Sequence, residues 1–271
     1  MTSVILVAGI MVVVFTLRRQ LGEGYQQAGR IVAPVRSRVL PTPLAYKEIL
    51  LRYFPYYQKL SPGHKLTFER KVCEFIYRKR FIPRNTIHVT TEAKVLIAAS
   101  AVQITFGLPH VYLQHFSKIL VYPDAYYSSI TERFHKGEVN PRFGIIVLSW
   151  QSFVEGYIHP TDAVNLGLHE MAHALRIENI IRNDEYNFFD DALLEQFDSW
   201  AYKVCSTIDT WREGFLRPYA CTNVHEFFSV SVENFFERPA LLKTELPEVY
   251  SILVKLLNQD PLNLTHQTET L

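Results

Sequence analysis

His169 and His173 stand four residues apart, with Glu170 directly after the first. On an α-helix, positions i and i+4 lie on one face, one turn apart. Two imidazoles so placed can grip one metal ion, and the adjoining carboxylate can face a water held there. A water between a metal and a carboxylate base is equipped to hydrolyse an amide bond. The competing reading is a pair of polar side chains on a solvated helix face. The flanking residues favour the site. After Pro160, Thr161 or Asp162 can cap a helix N-terminus. Leu168, Ala172 and Leu175 recur at helical spacing and can bury one side. Gly167 weakens such a helix but allows another element to approach closely.

A catalytic zinc usually takes three protein ligands and keeps one position open. Glu195 follows His173 by 22 residues and offers the simplest third ligand. Glu226 and Glu233 are the other candidates. They stand seven apart, two helical turns, on one side of a strongly apolar segment. Carboxylates on such a helix are costly to bury without a partner, and a metal or a metal-ligating histidine would be one. Spacing alone does not choose between Glu195 and Glu226.

The elements that must position these groups are mostly helical. Apolar spacing predicts helices over Tyr46–Tyr53, Lys65–Arg80 and Ala93–Ile104, the last rich in small residues. Later helices are expected around the histidines, at Ala192–Cys205, at Val224–Phe236 and at Pro247–Asn258. Strands are expected at Thr86–Thr90, Ile119–Tyr122 and Ile145–Trp150. The last lies about twenty residues before the motif, and an edge strand there could pair with an extended substrate. A buried central strand fits its unbroken apolar run equally well. The class expected is α+β, mostly helical with a small sheet.

In order and spacing, several segments resemble the Mlc titration factor A family, bacterial zinc-dependent peptidases of HExxH type. They include Ile119-Leu120-Val121-Tyr122-Pro123, Val147-Leu148-Ser149-Trp150, His169 to Leu175, Tyr219-Ala220, Glu226-Phe227-Phe228-Ser229-Val230 and Glu233-Asn234-Phe235-Phe236. The resemblance covers roughly residues 41 to 258. It implies a zincin-like peptidase domain of gluzincin kind, similar to the catalytic part of anthrax lethal factor. It implies one Zn2+ on His169, His173 and Glu226, with Glu170 as general base. Tyr219 would then stabilise the oxyanion, Glu233 would accept from a ligand's imidazole, and Glu195 would be structural or support the ligands from behind. Aminopeptidase activity on peptide or protein substrates is the finer implication. The alternative is a regulatory protein that captures a transcription factor or other partner, since the family is named for capture of the repressor Mlc. Where the family often carries aspartate three residues after the second histidine, this chain has Arg176. It is free to bind a substrate carboxylate or to pair with Glu178 or Asp184.

The chain of 271 residues is 48% hydrophobic and carries a formal charge of +1, so no basic field exists to attract nucleic acid. Cys73, Cys205 and Cys221 are odd in number and irregular in spacing. That pattern argues against a disulfide framework and makes Cys221 read as a small buried thiol. The run from Val4 to Leu17 is apolar and is followed by Arg18-Arg19. Residues 1–18 therefore read as a single-pass inner-membrane anchor, 19–40 as a juxtamembrane linker, 41–258 as the peptidase domain and 259–271 as a polar tail. The positive-inside rule puts the domain on the cytoplasmic side. A reporter enzyme that works only in the periplasm, fused to the C-terminus, is expected to stay inactive; activity would overturn that orientation.

Overall fold

The computed structural model describes residues 41–108, 110–128, 133–206 and 215–264. The expected anchor, the linker and the end of the tail lie outside them. Among the described residues, no helix is long and apolar enough to cross a membrane. The architecture is α+β and mostly helical, around one small sheet.

The chain enters through α1 (Leu44–Tyr53), α2 (Pro55–Gln58) and α3 (Pro62–Arg78). Pro62 opens α3 and Ser61 caps it, its Oγ accepting from His64 N. Strand β1 (Arg80–Pro83) leads to α4 (Thr91–Thr105) and β2 (Lys118–Tyr122). A hairpin follows, β3 (Tyr126–Ser128) with β4 (Arg133–His135), then β5 (Gly137–Asn140) and β6 (Ile145–Ser149). The rest is helical: α5 (Trp150–Ile158), α6 (Leu166–Glu178), α7 (Asp191–Ser206), a 3-10 turn (Pro218–Thr222), α8 (Val224–Glu237), α9 (Pro239–Glu245) and α10 (Pro247–Leu257).

The sheet runs in the order β1-β2-β6-β5. The first three strands are parallel, and β5 is antiparallel to β6 at one edge. Alternation divides the two faces. Ile119, Val121, Ile146 and Leu148 enter the main core, whereas Leu120 and Val147 meet Tyr126 of the hairpin on the other face. The sheet corrects one expectation and chooses between the two alternatives left open by another. Thr86–Thr90 is not a strand, and the first strand is Arg80–Pro83. Ile87 is 93% exposed, so its segment alternates without burying a face, while Arg80 and Arg84 donate to Ser117 and Val121. The strand at Ile145–Ser149 is central, between β2 and β5, and Trp150 already begins α5. The edge strands are β1 and β5.

Two features seat α6. Asn165 caps it, its Oδ1 accepting from Leu168 N at 3.0 Å. Its buried side, with Leu168, Met171, Ala172 and Leu175, packs on the alanine-rich α4 and on α8. Gly167 lets α6 lie close to α4 and α5: a Cβ there would be 2.6 Å from the Phe153 ring and 2.9 Å from Ser100 Oγ. Helix α7 is locked on α8 by edge-to-face rings, Phe197 with Phe227 and Phe228 at 5.6 and 5.4 Å between centroids.

Cys205 at the end of α7 and Cys221 in the 3-10 turn form a disulfide, with Cα atoms 5.4 Å apart. This corrects the reading of Cys221 as a thiol. Spacing could not reveal the pair, because packing of α7 on α8 is what brings the two ends together. Closing a loop of this length restricts the unfolded chain by an amount on the order of 3 kcal/mol. Gln259, first residue of the expected polar tail, is buried and donates to the Gln103 and Ile104 carbonyls of α4.

Ala at an exposed helix site is ordinarily worth about 1 kcal/mol over Gly. At Gly167 the sign should reverse. Gly167→Ala is expected to destabilise the fold by about 1–3 kcal/mol through overpacking against Phe153 and Ser100, read as a lower urea midpoint.

Candidate metal centre

Helix α6 presents His169 and His173 one turn apart, as the sequence predicts, and α8 supplies Glu226 opposite them. Glu226 lies in the first turn of α8, where the positive end of the helix dipole favours an anion. Asn223 caps that turn, its Oδ1 accepting from His225 N and Glu226 N.

The three side chains converge on one point. Glu226 Oε2 is 3.2 Å from Nε2 of His169 and 3.2 Å from Nε2 of His173, and the two imidazole nitrogens are 3.1 Å apart. Tetrahedral ligands at about 2.0–2.1 Å from zinc are separated by about 3.3 Å, so the spacing suits one ion. Glu226 Oε2 is also buried without a directed hydrogen bond. A metal at the centre would satisfy it, and the mixed N and O donor set is one that zinc accepts.

The electrostatics agree. Burial would raise the Glu226 carboxyl, but the His169 and His173 imidazoles 3.2 Å away outweigh it and hold the group far below the usual carboxylate range. Burial would lower His169, yet Glu226, Glu233 and Glu170 push it up to about 10. Acidic groups thus make the cluster a strong trap for positive charge, whether protons or a metal ion.

Glu233 receives His169 Nδ1 at 2.7 Å. With that nitrogen donating, the ring in its neutral, metal-binding form would turn the lone pair of Nε2 toward His173 and Glu226. Glu170 is buried, and burial raises its carboxyl above the usual range against the pull of His169 and His173. Its seat depends on β5: a Cβ on Gly137 would lie 2.6 Å from Glu170 Cδ. Only a glycine lets the edge strand pass so close to this carboxylate.

Tyr219, in the 3-10 turn, has its ring centroid 6.1 Å from that of His169 and is 52% exposed. Burial of its hydroxyl and the charge of Glu226 push it up to about 12, so it remains an O–H donor at neutral pH. Glu195 is exposed on α7 and does not join the cluster. Arg176 departs from the sequence expectation. It pairs with neither Glu178 nor Asp184; its Nη2 donates to both carboxylate oxygens of Asp198 on α7, at 2.6 and 2.7 Å. Three residues beyond His173 on α6, Arg176 faces α7 and is buried there, so it is not open to a substrate carboxylate. Glu178 instead accepts from His115 N and Asn183 Nδ2.

Sequence reasoning missed Arg217, Asn165 and Gly137. Arg217 Nη2 donates to Glu233 Oε1 at 2.5 Å, and Asn165 N donates to Glu233 Oε2 at 2.6 Å. None of the three belongs to a short motif. The one available signal was an isolated glycine beside a strand, which marks a close backbone approach.

Residues 32–257 match the profile of the glucose-regulated metallo-peptidase M90 family. The chain belongs to that family. Among its relatives, an uncharacterized protein of Synechocystis is 27% identical over 241 residues, covering 82% of this chain and 86% of the relative. Mlc titration factor A of Pectobacterium atrosepticum is 27% identical over 210 residues, covering 70% and 77%. Mlc titration factor A of Yersinia pestis is 24% identical over 208 residues, covering 70% and 75%. The M90 profile spans the whole of the helical core and the histidine cluster, and a metallopeptidase family implies a metal at that cluster.

Zinc content after dialysis, read by atomic emission, tests the ligand set. Glu226→Ala is expected to fall well below one ion per chain, while Glu195→Ala stays at the wild-type content. Glu233→Gln should keep the ligands but lower zinc affinity by about 10–100-fold.

Proposed function

We propose that this chain is a zinc-dependent peptidase in which His169, His173 and Glu226 hold one Zn2+ and Glu170 is the general base. The observation that carries the reading is the convergence of those three donor atoms at 3.1–3.2 Å beside a buried glutamate. Zinc, when bound, would supply a Lewis acid for the scissile carbonyl and acidify the attacking water. The chain's own residues do the rest. Glu170, its carboxyl raised by burial, takes the water's proton and hands it to the leaving amine. Glu233 keeps the His169 ring oriented through Nδ1. Tyr219 donates its phenol O–H toward the oxyanion as charge develops there.

The substrate backbone lies along β5. Among the described residues β5 pairs only with β6, so its outer edge can add an extended peptide strand. Gly137 on that edge abuts Glu170, so a strand added there would run beside the base. We infer aminopeptidase action as the finer form, to be read from a panel of aminopeptidase and endopeptidase substrates.

We further propose that the apolar run from Val4 to Leu17 anchors the chain in a membrane. Arg18 and Arg19 favour the cytoplasmic side for the domain. The Cys205–Cys221 disulfide favours an oxidising compartment, so the two features pull in opposite directions. A second reading is capture of a regulatory protein partner, supported by the name Mlc titration factor A that several relatives carry.

Glu170→Gln separates the readings. As a peptidase, this variant is expected to retain stoichiometric zinc and lose about 10²–10⁴-fold in kcat/KM on a cleaved peptide. Wild-type turnover in the Gln variant would overturn the assignment of the base. Stoichiometric zinc with no turnover on any peptide, together with tight capture of a partner, would favour the binder.

A further inference from the structure

A pocket of about 180 Å³ opens among α2, α4, α5 and the N-terminal end of α6. None of His169, His173 or Glu226 lines it, so it is distinct from the metal centre. Its wall is aromatic, with Tyr56, Tyr157 and Phe236, and its polar side chains include Lys59, Gln103, Thr161, Asn165 and Glu237 beside the Tyr157 hydroxyl.

Two of those groups are acceptors with capacity to spare. Gln103 is only 5% exposed, and its Oε1 is buried without a hydrogen-bond partner among the described residues. A buried amide oxygen left so costs free energy that a donor would recover. Glu237 accepts from Asn165 Nδ2 through Oε1 and from Ala163 N through Oε2, each at 2.9 Å. Each carboxylate oxygen keeps a further lone pair. No salt bridge joins Glu237 to a basic side chain among the described residues.

We propose that this pocket binds a small monovalent ammonium compound with an apolar body, its N–H groups donated to Glu237 and Gln103 and its body against the three aromatic rings. An ammonium brings several donors and no acceptor, which suits two acceptors in one pocket. Aromatic faces favour a cation further. An anion would meet Glu237 unfavourably. Lys59, exposed at the rim, disfavours a second positive charge on the ligand. The volume also fits, since a cavity of about 150 Å³ holds benzene. Burial, with Glu233 and Asp162 adding to it against the hydrogen bonds from Asn165 and Ala163, pushes Glu237 up to about 7. An arriving cation would relieve that. The pocket also communicates with the metal centre: Glu237 holds Asn165 Nδ2, Asn165 N holds Glu233, and Glu233 holds His169.

Calorimetric titration of the full chain with benzylamine, and with benzyl alcohol as its neutral counterpart, tests the site. Benzylamine is expected to bind at least about tenfold more tightly than the alcohol, and Glu237→Gln to weaken it by about tenfold or more. Gln103→Leu should weaken it by several-fold while thermal unfolding shows the variant folded. If Glu237→Gln does not fold, the Gln103 variant and the amine-to-alcohol comparison in the wild type still decide. Absence of saturable binding, equal affinity for amine and alcohol, or unchanged benzylamine affinity in the folded variants would overturn the proposal.

Discussion

One buried carboxylate ties the centre of this molecule together. Glu233 is 1% exposed, and a charge so placed would cost several kcal/mol without partners. It has three donors: His169 Nδ1, the backbone N of Asn165 and the guanidinium of Arg217. Each comes from a different place in the chain. Asn165 begins α6, His169 stands one turn later, and Arg217 precedes the 3-10 turn that carries Tyr219. The need to satisfy one charge therefore fixes the start of α6, the tautomer of a cluster histidine and the approach of the segment leading to Glu226.

Packing then holds those parts in place without further charge. Small residues on α4 and the glycine at 167 let α6 sink into the core. The rings of Phe197, Phe227 and Phe228 interlock α7 with α8, and buried Arg176 paired with half-buried Asp198 joins α6 to α7 across the same seam. The disulfide adds a covalent tie from α7 to the turn that bears Tyr219. On the other side, the sheet delivers β5 against Glu170, and only the missing side chain at Gly137 allows that contact. The cluster is thus braced from helices on one flank and from a strand edge on the other.

Much of this was legible in the chain. The four-residue spacing of His169 and His173 survives because helical geometry is local: once the segment is helical, the two rings share a face. The seven-residue spacing of Glu226 and Glu233 on an apolar helix marked both as groups that need partners, and both have them. The strands were less legible. Thr86–Thr90 alternates as a strand would, but pairing, which no local pattern encodes, falls on Arg80–Pro83. Arg176 could be placed on α6 but not given its partner, since Asp198 lies 22 residues on and on another helix.

By itself the sequence determined the helices, the pair of histidines with its attached base, and a short choice of carboxylates to complete it. Those follow from periodicity and side-chain chemistry, which act within a few turns of chain. Only the tertiary structure decided which glutamate meets the histidines, which strands lie at the edges of the sheet, which cysteines pair, and that Asn165 links Glu237 to Glu233. Those depend on where distant segments come to rest. That outcome is set by the summed burial of the core and by the need to satisfy each buried polar group, and no spacing in the chain records it.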